Sequence, residues 1–179
     1  MASLKSKLSA AMLALIDAGA TASVMMAQFQ DEKEGQSLTA YQDAGGILTV
    51  CGGVTIVDGK RVTRGMRLIA EQCKRIDVAE QKKALDWVDS NVKVTLNEPQ
   101  KVGIASFCPW NIGPAKCFTS TFYKKMNAND RLGACREIRR WIFDGSRDCR
   151  IRPNNCAGTA QQCRAAGFVQ RRPPGGSVV

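Results

Sequence analysis

The sequence predicts an α+β fold, with a small lobe of β-hairpins, a larger helical lobe and a cleft between them. Three observations carry this. Turns at Gly45-Gly46 and Asp58-Gly59 divide residues 37–62 into short extended runs, the pattern of antiparallel hairpins. From Leu68 the apolar period lengthens to three and four residues, with Ile69, Cys73, Ile76, Leu85, Val88 and Val92 recurring between charges. The chain has 179 residues, 44% apolar and 23% charged, which suits one domain with one good core.

The first element is the run from Leu8 to Phe29, which follows Lys5 and Lys7 and is rich in Ala, Gly, Ser and Thr. Its 22 residues would form a helix of about 33 Å, just enough to cross a hydrocarbon core of about 30 Å. Asp17 lies within it, and an acidic residue at a helix centre costs roughly 2.5–3.5 kcal/mol on insertion scales. Such a segment can be inserted and yet be poorly held by lipid. Two other readings stand beside this one. Ala20-Thr21-Ala22 fits the A-x-A pattern of signal-peptidase cleavage, and the run also suits an ordinary amphipathic helix packed on a core.

Glu34 closes this helical region, and Gly35 is the residue type that follows a helix end, where positive φ is free of strain. Tyr41 and Asp43 then fall on an extended segment, and Ile47 to Val50 reads as the strand returning from the glycine turn. A second hairpin joins Thr55-Ile56-Val57 to Lys60-Arg61-Val62. A long linking helix ends near Asn91. Asn97 and Pro99 mark the start of an apolar helix over Val102 to Trp110, which Gly113-Pro114 stops. Thr119 or Ser120 caps a helix to Met126, and Asn129 or Asp130 caps another to about Phe143. Residues Asp144 to Asn155 are polar, Arg-rich and read as a loop.

Net charge is +10, and the chain has no histidine. That excludes Ser-His-Asp hydrolysis, Cys-His proteases and most zinc enzymes. A basic balance points to an anionic partner without choosing among nucleic acid, acidic lipid and bacterial wall polymer. Zinc-finger, RNP-like and regular basic-helix patterns are absent, so nucleic acid is not the expected partner. The eight cysteines form no C-x-x-C, and an even, irregular set favours disulfides in an oxidising compartment. Proximity pairs Cys108 with Cys117 and Cys149 with Cys156; elimination leaves Cys51 with Cys73 and Cys135 with Cys163.

The candidate chemistry lies between Asp31 and Gly53. Asp43 follows Glu34 by nine residues, and Thr49 follows Asp43 by six. A helix end beside a hairpin can hold Glu34 and Asp43 on opposite walls of one cleft. Two carboxylates facing each other across a glycosidic bond can hydrolyse it, one protonating the leaving oxygen and the other activating water or attacking the sugar. Alone, acids near turns are common surface features; the specificity is in their surroundings. Trp110 and Trp141 read first as core aromatics, Arg139, Arg140 and Arg147 as solvated charge, and Asn111 to Gly113 as a helix end.

Glu34-Gly35, Ala40-Tyr41-x-Asp43, Gly45-Gly46 and Thr49-x-x-Gly52-Gly53 occur together within about twenty residues. With FCPWNIG at Phe107 to Gly113, FTSTFY at Phe118 to Tyr123 and GACREIRRW at Gly133 to Trp141, the chain resembles the phage-type lysozymes. These are the endolysins of glycoside hydrolase family 24, and the lambdoid type is the nearest in pattern. The resemblance runs to about Asn155. It implies a lysozyme-like fold and hydrolysis of the β-1,4 bond between N-acetylmuramic acid and N-acetylglucosamine in peptidoglycan. Glu34 would be the general acid, with a pKa raised by shielding from water. Asp43 would stay ionised, and Thr49 would place the attacking water, on an inverting course that needs carboxyl groups about 6.5–9.5 Å apart. Tyr41, Asn111 and Ser120 would touch substrate, and neither metal nor organic cofactor is implied.

The N-terminal run resembles the signal-anchor-release segments of some endolysins, which begin tethered in the inner membrane and later enter the periplasm. The expected organisation is residues 1–29 as that segment, 30–66 as the small lobe, 67–166 as the helical lobe and 167–179 as a disordered tail. The protein is expected to act as a monomer. No cysteine precedes Cys51, and Asp43 stands where some relatives carry a regulated cysteine, so control should be topological. The tail departs from the family pattern, because Arg171-Arg172 runs into Pro173-Pro174, which cannot continue a helix. A lytic transglycosylase cleaves the same bond with one Glu, and Asp43 and Thr49 argue against it. The rival outside enzymology is a basic protein that permeabilises membranes through residues 1–29.

Overall fold

The computed structural model describes residues 8–33, 35–43, 46–138, 140–141, 143–144 and 147–148, the last two pairs by backbone alone. Expectations for Glu34, Gly45 and Arg139, the disulfides Cys149–Cys156 and Cys135–Cys163 as pairs, and the tail at 167–179 lie outside the described residues.

The N-terminal run forms two helices, α1 (Ala10–Asp17) and α2 (Ala22–Lys33). Ser9 caps α1, accepting from Met12 N at 2.9 Å, and its hydroxyl donates to Glu32 of α2. The break comes at Gly19, whose φ of +68° lies in the left-handed region. Glu98 accepts from the Ala22 amide at 2.7 Å, supplying a partner to an N–H at the start of α2. Met12, Met25, Met26 and Phe29 are at most 2% exposed and join the core of the helical lobe. The sequence pattern read as one helix because hydropathy cannot see the core that bends it. Among the described residues no helix is long and apolar enough to cross a membrane.

The small lobe starts with the antiparallel pair β1 (Ser37–Gln42) and β2 (Leu48–Cys51). On its other edge β1 meets residues 66–68: Ala40 N donates to Met66 O and Leu68 N to Leu38 O, both at 2.9 Å. Next, β3 (Ile56–Val57) and β4 (Lys60–Arg61) close over Asp58-Gly59, both with positive φ, as a two-residue hairpin requires. Val50, Cys51, Val54, Val57 and Val62 pack with Cys73 and Ile76 into a small second core.

Helix α3 (Ala70–Asn91) gives Cys73 and Ile76 to that core and Ala84 and Val88 to the larger one. One rod of 22 residues, about 33 Å long, therefore joins the two lobes. Asn97 caps α4 (Glu98–Ala105) in a reciprocal box with Gln100. Where one α-helix to Trp110 was expected, the chain widens at once into a π-helix, Ser106–Ile112. Pro109 explains the change, because it has no N–H to keep the α-helical ladder running.

Gly113 turns with φ +79°, but Pro114 opens a further helix rather than ending structure: α5 (Pro114–Thr119) has its proline in the first turn. Ser120 caps α6 (Thr121–Asn127), accepting from Tyr123 N at 3.1 Å. Helix α7 (Arg131–Ile138) starts after Asp130, whose carboxylate accepts from Gly133 N at 2.8 Å. It ends short of the expected Phe143, and β5 (Phe143–Asp144) pairs with β6 (Arg147–Asp148) where a loop was expected. Phe107, Phe122, Met126 and Ile138 complete the large core, with Phe107 edge-on to Phe122 at 5.1 Å. Two disulfides are as expected, Cys51–Cys73 and Cys108–Cys117, with Cα separations of 5.2 and 5.3 Å. Cys135 is also disulfide-bonded, to a partner outside the described residues.

Candidate active site

The β1–β2 hairpin carries three of the expected site residues. Tyr41 stands directly opposite Thr49 in the ladder, so both side chains lie on one face. Asp43 follows β1 at the turn. Its N–H donates to Ile47 O at 2.9 Å and its carbonyl accepts from Gly46 N at 3.0 Å. Its Oδ1 also accepts from Ile47 N at 2.8 Å. The backbone thus orients one carboxylate oxygen and leaves the other to point elsewhere. Gly46, with φ +79°, provides a turn that a side-chain-bearing residue would strain.

Thr49 differs from a structural threonine. It is 3% exposed, and its hydroxyl has no hydrogen-bond partner among the described residues. Buried hydroxyls are nearly always satisfied, because an unmade hydrogen bond costs about 1–3 kcal/mol. Among the described residues nothing takes up the donor or the lone pairs of the Thr49 hydroxyl.

Glu34, the remaining catalytic candidate, is outside the described residues; its sequence neighbours are the end of α2 at Lys33 and Gly35, with φ +66°. Asn111 is exposed near the end of the π-helix. Ser120 borders a concavity of about 550 Å³ with Glu137, Arg140 and Trp141, though its hydroxyl is already engaged with Tyr123 N and Cys117 O. Trp141 packs edge-on to Phe107 at 5.8 Å and Trp110 packs on the large core, so both are core aromatics with one side turned outward.

A second concavity, about 340 Å³, lies between the lobes. Gly53, Thr55 and Ile56 form its small-lobe wall, and Lys83 and Trp110 come from α3 and the π-helix. Neither concavity is lined by Tyr41, Asp43 or Thr49. The second begins, in sequence, four residues beyond Thr49.

One group that the sequence did not single out is Asp77 of α3, a carboxylate only 6% exposed. It accepts from Gly52 N and from Gln36 Nε2, each at 3.2 Å. Burial first, and the nearby Asp31 charge to a lesser degree, push its pKa above the ordinary carboxylate value, while the Gly52 N–H pulls it down. Its only sequence signal is an acid one helical turn after Cys73, on the face that meets the small lobe.

A family model described as phage lysozyme matches residues 31–153, a span that contains this hairpin and the helical lobe through β6. The chain belongs to the phage lysozyme family. It is 63% identical over 151 residues to a SAR-endolysin of Escherichia phage 933W, covering 84% of this chain and 85% of that one. It is 62% identical, over the same shares, to a probable prophage lysozyme of Escherichia coli K12. The solved endolysin of the Escherichia coli O157:H7 phage FAHEc1 superposes with a TM-score of 0.63 at 27% identity, covering 80% of this chain and 89% of that one. This phage lysozyme is thus a glycoside hydrolase with a lysozyme-like α+β fold. It is an endolysin, and its substrate is peptidoglycan.

Proposed function

We propose that this phage lysozyme hydrolyses the β-1,4 bond between N-acetylmuramic acid and N-acetylglucosamine, with Glu34 as general acid, Asp43 as the carboxylate facing positive charge at the anomeric carbon, and Thr49 as the water-positioning hydroxyl. The observation that carries the reading is the Thr49 hydroxyl, buried yet without a partner among the described residues, opposite Tyr41 and on the same hairpin as Asp43. A hydroxyl with its lone pairs uncommitted can accept a hydrogen bond from water, which turns a lone pair of that water toward the bond to be cut. Tyr41, Asn111 and Ser120 contact the glycan, and Trp110 offers a ring face beside Lys83 at the lobe boundary. The enzyme works as a monomer.

Thr49→Val tests this directly. The substitution keeps the shape and removes a hydroxyl that bonds to nothing among the described residues, so thermal stability should be unchanged or slightly higher. Turnover on isolated peptidoglycan should nevertheless fall about 100-fold, the lower range for losing one catalytic proton-handling or positioning group. A valine variant that melts normally and keeps more than half its turnover would remove Thr49 from the mechanism.

For control, we propose that residues 8–29 first lie in the inner membrane as one helix and later leave it, breaking at Gly19 and docking as α1 and α2. The support is that the described form draws Met12, Met25, Met26 and Phe29 into the enzyme's own core. While those side chains sit in lipid, that core is incomplete and the helix end beside Glu34 cannot take its place. Asp17 and Ala14 are exposed in the docked form, so changing them leaves the enzyme intact. Asp17→Leu should trap the protein in the membrane fraction with little lysis, and Ala14→Lys should bring lysis forward. If Asp17→Leu cells lysed on the normal schedule with all enzyme still sedimenting with membranes, release would not be the control.

A further inference from the structure

The walls of the proposed site are carried by two separate stretches of chain. Glu34 lies two residues before Gln36, at the entry to β1, and Thr49 lies three before Gly52, at the exit of β2. Helix α3 reaches both. Its Cys73 is bonded to Cys51, and one turn later, on the same face, Asp77 holds Gly52 N with Oδ1 and Gln36 Nε2 with Oδ2. The fit at Gly52 is tight, since a Cβ there would stand 3.2 Å from Asp77 Oδ1.

We propose that Asp77 is a positioning residue for glycoside hydrolysis: one carboxylate on α3 ties the segment that follows Glu34 to the strand that carries Thr49, and so fixes the spacing of the two catalytic arms. This rests on the roles given above to Glu34 and Thr49.

The charge environment separates this tie from an ordinary stabilising ion pair. Among the described residues no Lys or Arg forms an ion pair with Asp77. Asp31 of α2 carries the same sign. Strand β2 and the π-helix have no ionisable acid or base, and Cys51 and Cys73 are locked in their disulfide. On α3 itself Glu80 pairs with Lys83, and from α4 Lys101 pairs with Asp89 near the far end of the rod. A carboxyl whose folded pKa is raised favours the fold when protonated. Its contribution is therefore best below the unfolded pKa of about 3.9 and is lost as pH rises through the raised folded value. Burial thus makes the ionised form the less favourable one for the fold, while the carboxylate's two hydrogen bonds hold the arms.

The experiment measures kcat, KM and Tm of the full chain on isolated peptidoglycan for Asp77→Ala, Asp77→Asn, Gln36→Leu and, alongside, Glu34→Gln. Asp77→Ala removes both acceptors and should lower kcat about 10–100-fold with KM within about twofold, the effect of misplacing groups that still bind. Asp77→Asn still accepts from Gly52 N, and the exposed Gln36 amide can turn to offer its oxygen. It should recover most of the kcat, with a Tm at neutral pH equal to or above that of the native protein. Gln36→Leu cuts one tie at an exposed position and should lower kcat about threefold or more at unchanged Tm, so it decides the matter if Asp77→Ala does not fold. The proposal is overturned if Gln36→Leu and any folded Asp77→Ala protein keep more than half the native kcat while Glu34→Gln is inactive. If Glu34→Gln is itself active, the catalytic reading beneath the proposal fails instead.

Discussion

Glu34→Gln is expected to remove nearly all muralytic activity, by about 10²–10⁴-fold in kcat, the usual contribution of a general acid. The amide is nearly the same size and can still hydrogen-bond to the glycosidic oxygen, but it has no proton to give as the bond breaks. Binding to peptidoglycan should therefore persist while release of reducing ends stops. The chain has no histidine to substitute, and Asp43 belongs to the opposite wall in this reading. Asp43→Asn should also be severe, though less complete, because a neutral side chain still fills its place at the turn. A Glu34→Gln protein that kept a tenth of native turnover on purified peptidoglycan would show that the acid lies elsewhere.

Removing residues 1–29 is expected to unfold the helical lobe, rather than to yield a soluble and constitutively active enzyme. Met12, Met25, Met26 and Phe29 are each at most 2% exposed in the large core. At about 1.5–3 kcal/mol for each buried side chain, they contribute roughly 6–12 kcal/mol. A whole domain is stable by only about 5–15 kcal/mol, so little would remain. The single change Phe29→Ala should already cost about 3–5 kcal/mol, visible as a large drop in Tm. A truncated chain that melted cooperatively at the native Tm would mean that α1 and α2 are dispensable to the core.

The sequence was most informative where structure is set by local chemistry. Asp58-Gly59 specified a tight hairpin because few residues other than Gly, Asn and Asp tolerate positive φ, and Asn97 with Pro99 marked a helix start for reasons internal to four residues. The disulfide Cys51–Cys73 was legible only by elimination, and the fold shows why it closes: α3 lies across the end of β2. What escaped was set by packing. The break at Gly19 reflects a core that wants Met12 and Met25 from one side and Glu98 at the Ala22 amide. Pro114 looked like a stop, although a proline is equally at home in the first turn of a new helix such as α5. In the site, Tyr41, Asp43 and Thr49 fell on one hairpin because strand alternation is readable. Asp77 was not, because a lone acid in a helical repeat carries no mark of the neighbours that will meet it.

The docked N-terminal helices divide their residues into two sets that answer to different solvents. Met12, Met25, Met26 and Phe29 belong to the protein core, and under the release reading lipid would take them as readily, so making them more apolar would strengthen both destinations at once. Ala10, Ala11, Ala14, Asp17, Ser23 and Val24 face water in the described form, with Val24 half exposed, and under the release reading they face lipid before it. Only this second set shifts the partition between the two. Under the release reading, the delay before lysis becomes a timer with its own adjustment screw: substitutions along one stripe of α1 and α2 can lengthen or shorten it over a wide range while the enzyme that is finally delivered stays the same.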